Sequence, residues 1–247
     1  MKTKLLYFLS FFILAHSAQA KTETELRAAI PAGLAPPLLI EKKGKVDGLI
    51  VDYVSALAEA MGRTANFSVV TRYRLNRYML TGQMDVLCYT SKIWDDGVKK
   101  LDFSEVLFNK KEVIIGPTPM PKKISDMQGK TIGTMLQYVY PKLDPYFASG
   151  KILREDSLSE EGNLKKLLNG RIQYVVTDQI FFDYFRLENP SIAKNREALF
   201  LTDYPIVCSI SRKGRITKKE VDKAIDEIKS SGKMKALFKK YGSTYVD

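Results

Sequence analysis

The sequence predicts an α/β fold of two similarly built lobes, each a mostly parallel sheet flanked by helices, with two crossover strands as the hinge. Three observations predict it. Short apolar runs alternate with segments of helical period. The alternation passes through two cycles, as two α/β units require. And 247 residues are ample for one large or two small domains, with no internal repeat or low-complexity tract.

In the first cycle, "RAAIPAG" (27–33) reads as a strand leading into the proline-rich turn "LAPPLL". In "GLIVDYVSALAEAMG" (48–62), Leu49, Ile50, Tyr53, Val54, Leu57, Ala58 and Met61 share one helical face, and Gly62 stops the helix. "ANFSVV" (65–70) is a strand, "YRLNRYMLTGQ" (73–83) a helix ending at Gly82, and "MDVLCYT" (84–90) a buried strand. Strand–helix alternation of this kind implies parallel pairing through crossover helices.

In the second cycle, "EVIIGP" (112–117) is a strand and "DMQGKTIGTM" (126–135) a turn plus strand. "EEGNLKKLLNGR" (160–171) is a helix with Gly170 at its end, "IQYVVTD" (172–178) a strand, and "QIFFDYFRLENP" (179–190) a helix. After "YPIVCSISRKG" (204–214), helices near 217–230 and 233–241 close the chain. The expected lobes are 21–107 with 206–247, and 108–205, crossing near 105–112 and 202–208. Clefts between such lobes, at the ends of sheet strands, are where ligands bind.

The first twenty residues stand apart. Lys2 and Lys4 precede an apolar stretch, Leu5–Ala15, and Ala18-Gln19-Ala20 has the small-x-small form of a cleavage site. This is a secretory signal peptide cut after Ala20, so a periplasmic, soluble chain is expected. The apolar run is short of the roughly 20 residues that span a bilayer. The next residue, Lys21, is not a lipid-bearing cysteine, and no later stretch reads as a transmembrane helix.

Losing the signal removes His16, the only histidine. Catalysis through Ser-His-Asp or Cys-His is thereby excluded, and the commonest zinc ligand with it. Cys88 and Cys208 are the only cysteines. They allow one disulfide in an oxidising compartment, or two separately buried thiols. No metal or cofactor is expected. The net charge of +11 falls to +9 without Lys2 and Lys4. The lysines are scattered, and the clusters "RKGRITKK" (212–219) and "KMKALFKK" (233–240) read as a loop and an amphipathic helix. With no basic–aromatic motif, a solvated surface is expected and nucleic acid is not a partner.

Several segments, in order over the whole mature chain, resemble the bacterial extracellular solute-binding proteins of family 3, the polar amino-acid type of periplasmic binding protein. They are "PPLLIEKKGKVDGLIVDYVSALAEAMG", "LTGQMDVL", "KKLDFSEVLF", "ISDMQGKTIGTM", "LLNGRIQYVVTD" and "GKMKALFKKYG". The resemblance implies a type II periplasmic-binding-protein fold that closes by a hinge on a small molecule. It also implies delivery to an ABC permease in the inner membrane, by a chain expected to be monomeric. Two departures touch the ligand. The family's carboxylate-clamping arginine falls at Gly97 and its companion threonine at Trp94, while the Gly-Thr-type loop is replaced by "TMLQYVY" (134–140).

Seven residues are candidates for the site. Asp178 ends a lobe-two strand; relatives use this acid for the ligand's ammonium, and an Asp there also caps the following helix. Tyr89 and Trp94 flank a lobe-one strand end and offer aromatic surface. Arg74 first, then Arg72, could replace the missing clamp, because only a guanidinium presents a planar fork to a carboxylate. Gln137 and Tyr138 stand in for the usual loop. Leu38 replaces a common aromatic, and Asp52 reads as an ordinary helix-face acid. The alternative function is a periplasmic enzyme on the same fold, of the cyclohexadienyl dehydratase type, but no matched acid–base pair points to it. A sensor domain would continue into a membrane helix, and the sequence stops at Asp247.

Overall fold

The computed structural model describes residues 24–94, 100–190 and 194–245. The signal segment and Gly97 lie outside them.

In the first lobe, β1 (Glu25–Pro31) pairs in parallel with β4 (Thr64–Val70) and with β5 (Val86–Thr90). The crossovers are α1 (Leu49–Ala60) and α2 (Arg72–Thr81), as the alternation requires. All six apolar positions expected within α1 are buried, from Leu49 to Ala58. α2 ends at Gly82 in the left-handed conformation, and a Cβ there would meet the Lys213 carbonyl oxygen at 2.3 Å. That approach brings the loop after the sheet against Asp85. The Asp85 carboxylate takes the backbone and side chain of Arg27 and the backbone N–H of Arg215. These bonds hold its carboxyl low against the opposing pull of burial.

The second lobe is a mixed sheet. β8 (Thr131–Met135) pairs in parallel with β9 (Leu153–Ser157) and with β10 (Tyr174–Asp178). β10 runs antiparallel to β7 (Phe108–Pro117). Around the sheet lie α3 (Asp144–Ala148), α4 (Glu160–Leu168) and α5 (Gln179–Glu188).

The hinge is longer than the sequence suggests. β11 (Arg196–Ile210) pairs with β7 from Arg196 to Ile206, then continues into the first sheet beside β5 and the short β6 (Asp102–Phe103). One strand therefore belongs to both lobes. Its first half is not expected from the sequence because residues 196–200 are half-buried or exposed and lack a clean apolar alternation. β9, "LREDS", is missed for a related reason, being a charged edge strand. The hairpin of β2 (Ile40–Lys42) and β3 (Lys45–Asp47), and α3, are also absent from the sequence reading.

Cys88 on β5 and Cys208 on β11 form a disulfide. The register slips between Val207 and Ser209, so Cys208 sits at the irregularity facing β5. The two thiols left open by the sequence are thus one cross-link, at the point where β11 enters the first sheet. α6 (Lys218–Ser230) opens with a capping box, the Thr217 hydroxyl and Glu220 carboxylate serving each other's backbone N–H. α7 (Lys233–Lys240) buries Met234 and Phe238. Asp52 accepts from Lys240 and the Tyr241 hydroxyl, tying α1 to the chain's end, so its role is structural.

Candidate functional site

Strand register places charged groups together. Asp178 stands opposite Glu112, and Lys110 opposite Tyr204, on antiparallel pairs. Directly opposed residues share a face, as do positions i and i+2. Lys110, Glu112, Asp178 and Tyr204 therefore project from one face of the β10–β7–β11 ribbon, beside the end of β5.

Asp178 is 3% exposed. Its Oδ1 accepts the Ile180 backbone N–H at 2.9 Å, capping α5. Its Oδ2 accepts the Tyr89 hydroxyl from the first lobe at 3.0 Å, and Lys110 Nζ lies 3.6 Å from the same oxygen. The Lys110 ammonium sits 5.7 Å from the Trp94 ring centroid and 5.8 Å from that of Tyr204; the two rings are 5.2 Å apart.

Burial works on Lys110, Glu112, Glu160 and Tyr89. Burial pulls Lys110 down, but Asp178, Glu112 and Glu160 outweigh it, so the ammonium is held above its ordinary range. Burial raises Glu112, opposed by Lys110 and by the Tyr204 hydroxyl. Glu160, at the start of α4, bonds the Thr177 hydroxyl at 2.9 Å. Burial, with Asp178 nearby, pushes its carboxyl up to about 7. The Tyr89 hydroxyl is raised by burial and then by Asp178.

The lobes also meet further out. Arg72 donates to the Tyr138 hydroxyl at 2.7 Å, with its guanidinium carbon 5.5 Å from the Tyr138 ring centroid. A cavity of about 210 Å³ on the first lobe is lined by Arg72, Leu75, Asn76, Tyr89, Thr90 and Trp94, among others. A second, about 250 Å³, lies between Leu34, Leu38, Tyr138, Ser159 and Glu160. A larger apolar groove of about 430 Å³, walled by Ile40, Leu164, Phe181 and Phe185, opens elsewhere, between the β2–β3 hairpin and α4–α5.

Of the seven candidates, the structure brings Asp178, Tyr89, Trp94, Tyr138 and Arg72 together. It does not bring Arg74, which lies over the Tyr73 ring and lines neither cleft cavity. Of the two arginines, Arg72 is the one that lines the first-lobe cavity. At 100° per residue, Arg72, Leu75, Asn76 and Met79 share a face of α2, while Arg74 is carried to another. Gln137 is exposed in a turn at φ 64° and lines neither cavity. Sequence reasoning missed Lys110, Glu112, Glu160 and Tyr204. The available signal was the polar alternation in "FNKKEV", where Lys110 and Glu112 fall on one face of a strand flanked by apolar runs.

Residues 26–244 match the family model for bacterial extracellular solute-binding proteins, family 3. The chain belongs to that family. Among curated proteins, this solute-binding protein is 25% identical over 232 residues to a probable histidine-binding protein of Neisseria gonorrhoeae, covering 87% of this chain and 82% of that one. It is 23% identical over 220 residues to a probable amino-acid-binding protein of Bacillus subtilis, covering 85% and 81%. Among solved structures, it resembles the L-cystine solute receptor of N. gonorrhoeae in its unliganded open conformation. The TM-score is 0.71 at 16% identity, covering 91% of this chain and 95% of that one. An ancestral arginine-binding protein bound to arginine gives 0.67 at 19%, covering 88% and 98%. These two show the fold. The curated relatives are named as binding proteins, in keeping with the solute-binding family to which this chain belongs. Among the described residues, no helix is long and apolar enough to cross a membrane.

Proposed function

We propose that this protein captures a small, amino-acid-sized polar solute between its lobes and hands it to an ABC permease, as an exported monomer cut after Ala20. The lobes are 21–107 with 206–247, and 108–205. Arg72, Tyr89 and Trp94 contact the solute from the first, Tyr138 and Asp178 from the second. Arg74 and Gln137 are left out. The Tyr89–Asp178 hydrogen bond carries this reading, because it joins a strand end of each lobe at the floor of the cleft. A ligand that touches both lobes stabilises their closed arrangement, which is how a hinge protein couples binding to closure. The amino-acid-binding names of the curated relatives support the solute class. The permease is supported by a fold neighbour that serves an amino acid ABC transporter.

Trp94, the only tryptophan, makes the site self-reporting. Amino acids, polyamines, organic acids and aromatic metabolites are screened by thermal shift and by Trp94 emission. A true ligand raises the melting temperature and changes the emission, and Asp178→Ala or Trp94→Ala abolishes the thermal shift. A ligand that binds Asp178→Ala as tightly as the natural protein sinks the site assignment.

A further inference from the structure

Asp178 is already served by the protein on three sides: the Ile180 N–H, the Tyr89 hydroxyl and the Lys110 ammonium. Lys110 is firmly enclosed. Its side chain is 14% exposed, two adjacent aromatic rings lie to one side of its ammonium, and Glu112 projects beside it on the same strand face. An ammonium between aromatic faces and a carboxylate is a favourable arrangement for any amine. Here the chain supplies the amine itself. A ligand amine reaching Asp178 must first displace a desolvated, paired lysine, and breaking such a pair is costly.

Arg72 presents the opposite case. It lines the 210 Å³ cavity, and among the described residues its partners are the Tyr138 hydroxyl and ring, with no carboxylate. The rest of that wall mixes apolar side chains, Pro31, Leu34, Leu75 and Leu87, with Asn76 and Thr90 as uncharged polar groups. A guanidinium with apolar neighbours and no second charge on the wall suits a carboxylate on an uncharged body that is apolar in part.

We infer that Lys110 is a specificity-determining residue, a resident ammonium in the seat at Asp178. The ligand is then a small carboxylate with an uncharged body, apolar in part, and no α-ammonium, its carboxylate directed to Arg72. This rests on the cleft being the binding site, as proposed above, but changes the part of Asp178 in it: the carboxylate holds Lys110 and does not itself meet an amine of the solute.

The test uses matched pairs that differ only in the α-amino group: L-phenylalanine and 3-phenylpropanoate, L-leucine and 4-methylpentanoate, L-glutamine and 4-carbamoylbutanoate. Affinities are measured by calorimetry on the natural protein and on Lys110→Met. The natural protein should favour the member without the amine by tenfold or more. Lys110→Met, with the seat open, should gain tenfold or more for the amino acid. The variant strips a cation from the buried Asp178 and Glu112 carboxylates and from nearby Glu160, so if it fails to fold the natural protein's preference decides alone. Preference of the natural protein for the amino acid, or a pair ratio unchanged in Lys110→Met, overturns the inference and leaves the proposed function standing. No binding of any pair to either protein overturns the amino-acid-sized reading itself, and this inference with it.

Discussion

Asp178 carries two loads at once, and substitutions separate them. Asparagine keeps a side-chain oxygen for the Ile180 N–H but leaves Lys110 without its nearest anion; alanine removes both. Urea denaturation should therefore show Asp178→Ala less stable than Asp178→Asn by about 1 kcal/mol, the usual worth of an N-cap. Equal stability would mean that the cap contributes nothing here. Glu160 sets a pH dependence. Its carboxyl is held up to about 7 by burial, against 4.5 for an ordinary one, so the folded chain binds this proton more tightly than the unfolded chain. That contribution is complete below about pH 4.5 and is lost as the pH rises through 7. Glu112, also raised by burial, acts in the same direction. Thermal unfolding at pH 5 and pH 7.5 should show a smaller loss of stability with rising pH in Glu160→Gln than in the natural protein. An unchanged difference would place Glu160 in water.

At the scale of elements, the Cys88–Cys208 cross-link closes a loop of 120 residues that includes the whole second lobe. Chain entropy alone assigns such a loop about 5 kcal/mol of stabilisation, and measured values commonly reach about 2–4 kcal/mol. Reduction, or Cys88→Ala with Cys208→Ala, should lower stability by about that lower figure while leaving the fold intact, read by denaturation with circular dichroism. No loss would mean that the reduced chain keeps the same order in its unfolded state. The pairing was open in the sequence because a separation of 120 residues says nothing of strand order. α1, by contrast, is legible residue by residue, since one amphipathic face is local information. The edge strand β9 and the first half of β11 were not, because charged or half-exposed strands lack that periodicity.

Across the whole molecule, the two lobes share β11 and meet through the Tyr89–Asp178 and Arg72–Tyr138 hydrogen bonds. The order of motifs made the fold legible from end to end. The candidate site was legible near strand ends, where Asp178 closes β10 and Tyr89 stands one residue before the end of β5. Its other half was not, because Lys110, Glu112 and Tyr204 are ordinary strand residues until the register sets them beside Asp178. If the proposed function holds, one solute engages both lobes at these strand ends, and hydrogen–deuterium exchange with and without saturating ligand reads that engagement. Slowed exchange in both 86–94 and 174–180 is the expected result. Protection confined to one of these segments, or to the apolar groove at 36–42 and 181–189, would contradict it.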